Sequence, residues 1–294
     1  MINNFMKILF GIAFILCCIS CSSNKYPSKK VYEISFNRID QDSSICDFIF
    51  PDPETDSSLI ILREKYQLKD LVESANSDIE KALVLLNWTN SRWKHNGSNK
   101  PKHHDALSIL EEVDQGKNFR CVEYGIVLSA SLNSMAISTR TLGLKTKDVE
   151  TAQVGAGHVV SEAYIPDLKK WVFLDPQKNY IPFVEEKPLN AVEYQDAIKH
   201  RRKDIELRNI HGVLSDKRKE NETEWVGKYL FYFNGSFDYS GSKMKCKGKR
   251  QIMLVPLGEK GPTVFQIDDG EIDYCIYTHN LKDFYKEPIV RIRK

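Results

Sequence analysis

Three side chains, far apart along the chain, have the chemistry of a nucleophile, a base and an orienting acid. Cys121 stands at the start of a predicted apolar helix, His158 lies in a predicted strand, and Asp175 follows the next strand. The free N–H groups and positive dipole of a helix N-terminus favour thiolate, the reactive form of cysteine. An imidazole can take the thiol proton when a carboxylate holds its other nitrogen. The three residues therefore predict thiol-dependent acyl transfer, provided that the fold brings them together.

Each of these residues also has an ordinary structural interpretation. A cysteine at a helix start is often a small core residue, and Asp-Pro after a strand often begins a turn. A metal site on His158 is the chemical alternative, with candidate ligands Glu123, Glu162, His103 and His104. Because none of these has the spacing of a zinc site, we expect no metal and no other cofactor. The remaining histidines have no companion in the sequence and are predicted to be surface residues: His95, His200, His211 and His279.

The elements that must position the three residues begin with helices. Ser77 and Glu80 form a capping-box pattern, and apolar residues at helical spacing follow them. Asp105 is placed to cap a shorter helix that runs to Val113. Residues 121–135 are apolar or small on every side, which predicts a buried helix that begins at the candidate nucleophile.

After this helix, hydrophobic residues recur at every second position, which is the spacing typical of strands. Three segments rich in β-branched and aromatic residues are predicted strands, namely residues 137–145, 157–165 and 170–174. If the last two form a hairpin with His158 directly across from Asp175, Tyr164 opposes Lys169 around a four-residue loop. A slip by one residue would put the imidazole and the carboxyl group on opposite faces. A buried helix on an antiparallel sheet is an α+β arrangement.

The last third of the chain carries a different composition. Residues 189–210 have a helical, strongly charged pattern, residues 215–224 are a candidate charged linker, and aromatic residues alternate beyond Trp225. We therefore divide the chain into five parts: a signal peptide at 1–20, a tether and N-terminal segment at 21–50, the core at 51–185, a charged helix and linker at 186–224, and a β-rich C-terminal extension at 225–294.

The N-terminus has the pattern of an export signal. Lys7 precedes an apolar run at residues 8–19, which is shorter than the roughly 20 residues a membrane-spanning helix needs. The run ends at Ser-Cys-Ser-Ser, where it resembles a bacterial lipoprotein signal with Cys21 as the acylated residue. Cys18 stands where such signals usually carry Leu, so an export signal without lipid is the alternative. The resemblance implies an extracytoplasmic protein, on the periplasmic or cell-surface side, that is anchored to a bacterial membrane by lipid.

Outside the cytoplasm thiols tend to be oxidised, so the cysteines must be assigned. Four remain after the signal and the acylation site: Cys46, Cys121, Cys246 and Cys275. They allow two disulfides, or one disulfide and one working thiol. Cys246 and Cys275 both lie among predicted C-terminal strands, and we expect them to pair with each other.

The overall composition excludes a disordered chain, a collagen-like repeat and a small protein dense in disulfides. The chain has 294 residues, of which 41% are hydrophobic and 28% are charged, as in ordinary globular proteins. The formal net charge is +2, which gives no electrostatic reason to expect a nucleic-acid partner.

Four motifs occur in order around the three chemical residues. They are Arg-Cys-Val-Glu-Tyr-Gly at 120–125, Thr-Arg-Thr-Leu-Gly at 139–143, Gly-His-Val-Val-Ser-Glu-Ala-Tyr at 157–164 and Trp-Val-Phe-Leu-Asp-Pro at 171–176. Together they resemble the motifs of the transglutaminase-like superfamily, whose members share the core of papain-like cysteine peptidases. The resemblance implies Cys121 as nucleophile, His158 as general base and Asp175 as its orienting partner.

The resemblance also bears on how substrate is held. Gln115 has a spacing to Cys121 similar to that of the oxyanion glutamine in papain-like peptidases, and an exposed loop amide is the alternative interpretation. Two departures from the superfamily pattern bear on substrate access. Arg120 stands where a small residue is often found, and Val159 and Val160 stand where Ala-Trp is common.

Two classes of function follow. In the first, Cys121 forms a thioester with a peptide or amide carbonyl, which water hydrolyses or an amine intercepts. Hydrolysis is favoured because many bacterial members of the superfamily act as peptidases or amidases, and the substrates would be peptides or proteins, cell-wall peptides included. In the second, an inactive module presents a groove to a peptide, glycan or partner lipoprotein. A disulfide between Cys46 and Cys121 would favour the second.

Overall fold

A computed structural model describes residues 26–39, 45–267 and 269–291. The predicted signal peptide and Cys21 lie outside the described residues. The helices are α1 Ser57–Lys65, α2 Leu68–Leu71, α3 Asp78–Ser91, α4 Ala106–Asp114, α5 Cys121–Ser134, α6 Ala191–His200, α7 Asp216–Gly227 and α8 Leu281–Phe284. The strands are β1 Ile49–Pro51, β2 Thr139–Lys145, β3 Gly157–Ile165, β4 Lys170–Leu174, β5 Ile181–Val184, β6 Lys187–Pro188, β7 Ile205–Asn209, β8 Gly212–Val213, β9 Tyr232–Ser236, β10 Gln251–Leu254, β11 Cys275–Thr278 and β12 Ile289–Arg291. Among the described helices, none is long and apolar enough to cross a membrane.

The helices begin where their capping residues predict. The Ser77 hydroxyl accepts from the Glu80 N–H at 3.2 Å, and an Asp105 carboxylate oxygen accepts from the Ser108 N–H at 2.9 Å. The Glu80 carboxylate differs from the expected capping box, because it accepts from the N–H of Asn76 instead of that of Ser77. The helices predicted near residues 79–94, 105–113 and 121–135 are all present.

A six-stranded sheet, in the order β11-β10-β9-β2-β3-β4, forms the centre of the fold. Helices α1 to α5 lie on one face, where Val127 and Leu128 of α5 share a buried cluster with Ala163 and Val172. The other face packs against α6 and against a smaller sheet in the order β6-β5-β7-β8. The predicted α+β arrangement, with a buried helix on an antiparallel sheet, is confirmed for the core.

The secondary structure predicted for the last third is wrong in two places. Residues 189–210 do not form one helix, because α6 ends at His200 and its successor β7 pairs with β5. Residues 215–224 are not a linker but most of α7, whose Val226 is buried in the core. The stretch from residue 225 contains strands β9 to β12, and β9 pairs with β2 and joins β10 and β11 to the central sheet. The polar composition of α7 concealed a helix that packs through a few apolar residues at its end.

A buried ion pair connects the C-terminal segment to the core. Arg140 and Glu162 are both fully buried and paired at 2.7 Å. The Arg140 guanidinium also donates to the carbonyl of Phe284 at 2.9 Å, and the Tyr285 hydroxyl donates to Glu162 at 3.1 Å. These bonds satisfy both charges, as burial requires, and they hold the segment after α8 against β2 and β3.

The predicted Cys246–Cys275 disulfide is wrong. Cys246 pairs with Cys46 instead, with the Cα atoms 5.6 Å apart and a sequence separation of 200 residues. Cys275 is a free buried thiol on β11. Neighbouring strands in sequence suggested the wrong partner, because connectivity depends on tertiary packing that spacing does not reveal.

Candidate active site

The N-terminus of α5 presents Cys121. Arg120 caps the helix with an extended backbone, and its N–H donates to the Glu123 carboxylate at 3.1 Å. The Arg120 guanidinium neutralises the same carboxylate at 2.6 Å. Cys121 is the first helical residue, so its own N–H has no partner within the helix. Its thiol is free, and the residue as a whole is only partly buried.

A glycine lets α5 approach β3 closely. A Cβ on Gly125 would lie 3.0 Å from Val159 Cγ1 and 3.3 Å from the carbonyl oxygen of Val160. One turn further, the hydroxyls of Ser129 and Ser161 meet at 3.2 Å. This contact brings the start of α5 beside the start of β3, where the backbone of Val159 is near enough to the Cys121 sulfur to help lower the pKa of the thiol.

The structure brings His158 and Asp175 together. His158 Nε2 and Asp175 Oδ2 are 2.9 Å apart, with the imidazole 2% exposed and the carboxylate fully buried. The other Asp175 oxygen accepts from the Lys178 N–H at 3.0 Å. Because Nε2 is occupied, Nδ1 is the nitrogen of His158 that is available to the thiol.

The hairpin register differs from the predicted one. Tyr164 opposes Trp171, and Ile165 opposes Lys170, so His158 is not directly across from Asp175. A short 3₁₀ turn at Pro166–Leu168, followed by Lys169 with φ of 46°, closes the loop later than expected. The shift is by two residues, and faces alternate with a period of two, so both side chains stay on one face.

The electrostatics of the site favour a thiolate and an imidazolium. Burial would raise the pKa of the Cys121 thiol, but hydrogen bonds from His158 and His95 and the charge of His158 lower the pKa to about 6. Burial would lower the pKa of His158, but the charge and hydrogen bond of Asp175 and its contact with Cys121 raise the pKa to about 9. Between these values the sulfur is negative and the imidazole positive, which is the reactive pairing of a cysteine nucleophile.

Aromatic side chains from the C-terminal third enclose the imidazole. Trp225 of α7 meets the His158 ring edge-on at a centroid distance of 4.7 Å, and the Tyr229 ring lies at 5.8 Å. Lys178, three residues beyond Asp175, lies 4.3 Å from the centre of the Trp225 ring and pairs with Glu222 at 3.3 Å. The helix predicted as a linker therefore forms one wall of the site.

An open cleft lies beside the loop that carries His95 and the turn that follows Asp175. Residues from three segments line it, among them Trp93, His95, Asn118, Tyr124, Gln177 and Lys178. The Trp93 ring stacks on that of Tyr124 with the centroids 4.1 Å apart, and Trp93 belongs to the buried helical core. The cleft meets the candidate site through His95, which lines it and contacts the Cys121 thiol.

The other candidate residues lie apart from the sulfur or differ from expectation. Gln115 is exposed at the C-terminal end of α4, and no described hydrogen bond joins its side chain to Cys121. His95 was expected to be a surface residue without a companion. It is exposed, yet its imidazole hydrogen-bonds the Cys121 thiol. Nothing in the local sequence signals this contact, because it depends on a loop pairing described below.

The acidic candidates for a metal site have other partners. Glu162 is held by Arg140, and Glu123 by Arg120, with His104 3.8 Å away. In residues 26–39, 45–267 and 269–291, no group of three or more His, Cys, Asp or Glu side chains could hold a metal ion.

Comparison with known proteins agrees with this architecture. Residues 66–176 match the profile of the transglutaminase-like superfamily. The chain therefore carries a transglutaminase-like domain over this segment, which contains Cys121, His158 and Asp175. No curated protein matches the chain.

Three solved structures are similar to parts of the chain. A candidate cysteine protease from Cytophaga hutchinsonii is 16% identical with a TM-score of 0.34, over 49% of this chain and 46% of that one. A candidate protease from Parabacteroides distasonis is 13% identical with a TM-score of 0.31, over 55% and 28%. Red sea bream transglutaminase is 14% identical with a TM-score of 0.33, over 60% and 33%. The chain thus spans less than half the length of each.

Proposed function

We propose that the protein is a thiol-dependent acyl-transfer enzyme that acts on peptide or amide bonds, with Cys121, His158 and Asp175 as its catalytic triad. The observation that carries the proposal is the meeting of a free thiol, whose pKa is lowered to about 6, with a buried imidazole held by a buried carboxylate. A core cysteine with only a packing role would have a raised pKa, as Cys275 does.

The chemistry follows from these positions. The thiolate attacks the carbonyl carbon, a C–S bond forms, and the carbonyl electron pair moves onto oxygen. Collapse of this intermediate breaks the C–N bond, and the His158 imidazolium gives its proton to the departing amine. The neutral imidazole then takes a proton from water, whose hydroxide attacks the thioester and releases the acid. Asp175 keeps the ring oriented through both steps.

Hydrolysis is favoured over crosslinking in this proposal. The open cleft that His95 lines supports access of water to the thioester. An amine acceptor remains the competing nucleophile. The substrate class is a peptide or protein, cell-wall peptides included, and not a nucleic acid.

The test separates the two outcomes and the binding alternative. Protein whose Cys121 thiol is reduced and not alkylated is incubated with a peptide mixture, with and without methylamine. The products are identified by mass spectrometry. We expect Cys121-dependent hydrolysis products, more abundant than methylamine adducts, that Cys121→Ala abolishes and the matched variant Cys275→Ala retains. Products that persist in Cys121→Ala would refute the triad. Binding of peptides without turnover would favour the inactive module, although the Cys46–Cys121 disulfide that would have supported it is not formed.

We also propose that the protein is exported and anchored to a membrane through lipid on Cys21. The sequence pattern at residues 8–23 supports this proposal, and the Cys46–Cys246 disulfide suits an oxidising compartment. Cells fed a labelled fatty acid should incorporate it into the wild-type protein but not into Cys21→Ala. Label in both proteins would contradict acylation at this residue.

A further inference from the structure

We propose that His95 is the second oxyanion donor of this site, so that its imidazole N–H and the backbone N–H of Cys121 together hold the substrate oxygen. The inference rests on the proposed function and adds a catalytic residue to it. Acyl transfer through a thiolate needs donors at the point where the negative oxygen forms. The helix start supplies one N–H, and the second must come from a neighbouring segment.

Hydrogen bonds on both sides of His95 fix its position. The N–H of Lys94 donates to the side-chain oxygen of Asn118 at 2.9 Å, and the N–H of Asn96 donates to the carbonyl of Phe119 at 2.8 Å. The Asn99 amide donates to the carbonyl of Asn118 at 2.9 Å. The loop after α3 is thereby paired with the two residues that lead into Arg120, and His95, which lies between Lys94 and Asn96, is held beside the start of α5.

The His95 imidazole reaches the reacting atom and remains accessible. It lines the open cleft and is exposed, and it lies near enough to the Cys121 thiol to help lower the pKa of that thiol. In the attacked substrate, oxygen and sulfur are bonded to the same carbon, so a donor at the sulfur is within reach of that oxygen. An imidazole carries an N–H in either neutral tautomer and in the cation, and it can therefore donate without transferring a proton.

The competing donors are placed less well. The indole N–H of Trp93 is buried and without a partner among the described residues, and its ring is stacked on Tyr124 within the helical core. Gln115 is at the far end of the loop after α4 and is exposed to solvent. Among the three side chains, only that of His95 both contacts the sulfur and faces the cleft.

The role assigned to His95 is stabilisation and not proton transfer. As the thiolate forms the C–S bond, the carbonyl electron pair moves to oxygen, and the His95 N–H donates a hydrogen bond to that oxygen. When the C–N bond breaks, the pair returns, and His158 supplies the proton to the amine. His95 ends each cycle unchanged.

The test compares two reactions of the same sulfur at pH 9, where the thiolate is formed. Acetylation by p-nitrophenyl acetate passes through an oxyanion, whereas alkylation by iodoacetamide does not. For His95→Ala we expect acetylation about 100-fold slower and alkylation changed by less than about threefold. His95→Gln, which keeps an N–H donor, should recover part of the acetylation rate, and the exposed control His211→Ala should match wild type.

The outcomes that overturn the inference are distinct. Wild-type acetylation in His95→Ala, or an equal fall in both reactions, would show that His95 is not an oxyanion donor. Acetylation that persists in Cys121→Ala would contradict the proposed function as well. So would a wild-type protein that is not acetylated at Cys121. Circular dichroism of each variant checks that the fold is kept.

Discussion

Replacing His158 with alanine tests the electrostatic basis of the site directly. The wild-type thiol has a pKa of about 6, so roughly nine-tenths of it is ionised at pH 7. The substitution removes the hydrogen bond and the positive charge of His158, which lower this pKa, and leaves the burial that raises it, which is the largest contribution, together with the lesser contacts of His95 and Val159. The pKa should then return to about 8.5 or above, where roughly 3% of the thiol is ionised at pH 7. The thiolate population at neutral pH should therefore fall about thirtyfold.

The assay follows alkylation by iodoacetamide between about pH 5 and 10, with intact mass spectrometry to count adducts. The midpoint of the rate profile reports the thiol pKa whatever the intrinsic reactivity of each thiolate. Cys275 gives little background near neutral pH, because burial raises the pKa of its thiol to about 11. Cys121→Ala measures that background, and His211→Ala, a histidine exposed in a turn, serves as the matched control.

Two results would refute the reasoning. A wild-type midpoint near the ordinary value of about 8.5 would mean that the site does not activate its thiol. A midpoint that stays near 6 in His158→Ala would mean that another group supplies the positive field. The expected result is a shift of about two units or more towards high pH, with the two proteins alike at the alkaline end of the range.

Three further predictions concern the rest of the molecule. The profile of kcat/KM against pH should be bell-shaped, rising near pH 6 as Cys121 ionises and falling near pH 9 as His158 loses its proton; a rate that keeps rising beyond about pH 10 would contradict the pair. Cys46→Ser should lower the free energy of unfolding by about 2–5 kcal/mol in urea melts, and dithiothreitol should bring wild type to the same value. Arg140→Ala should lower the free energy of unfolding by about 3–5 kcal/mol in the same urea melts, because it leaves the buried Glu162 charge unpaired. A decrease of less than about 1 kcal/mol would contradict this reasoning.

The parts of the fold predicted well are those encoded locally. The start of α5, the strands β3 and β4 and the caps of α3 and α4 depend on periodicity and short-range hydrogen bonds, and each was found where the sequence indicates. The hairpin register was missed by two residues, since the 3₁₀ turn after Ile165 depends on the conformation of Lys169. A shift by two residues leaves both side chains on the same face of the hairpin, so His158 and Asp175 are still in contact.

The parts predicted badly depend on tertiary contacts. α7 is polar over most of its length and is held by burial of Val226 and by the Trp225 contact with His158. His95 reaches Cys121 only because its loop pairs with another loop. The Cys46–Cys246 pairing joins residues 200 positions apart. A single sequence carries no periodic signal for contacts of this kind.

These late contacts also place part of the proposed catalytic unit beyond the segment that the family profile covers. That segment ends at residue 176, but the ring of His158 is packed by Trp225 and Tyr229. The strand that carries His158 pairs with β2, which in turn pairs with β9 from the C-terminal third. Because the imidazole needs a fixed ring orientation to accept and return a proton, residues well outside the motifs help to set the geometry on which the motifs depend.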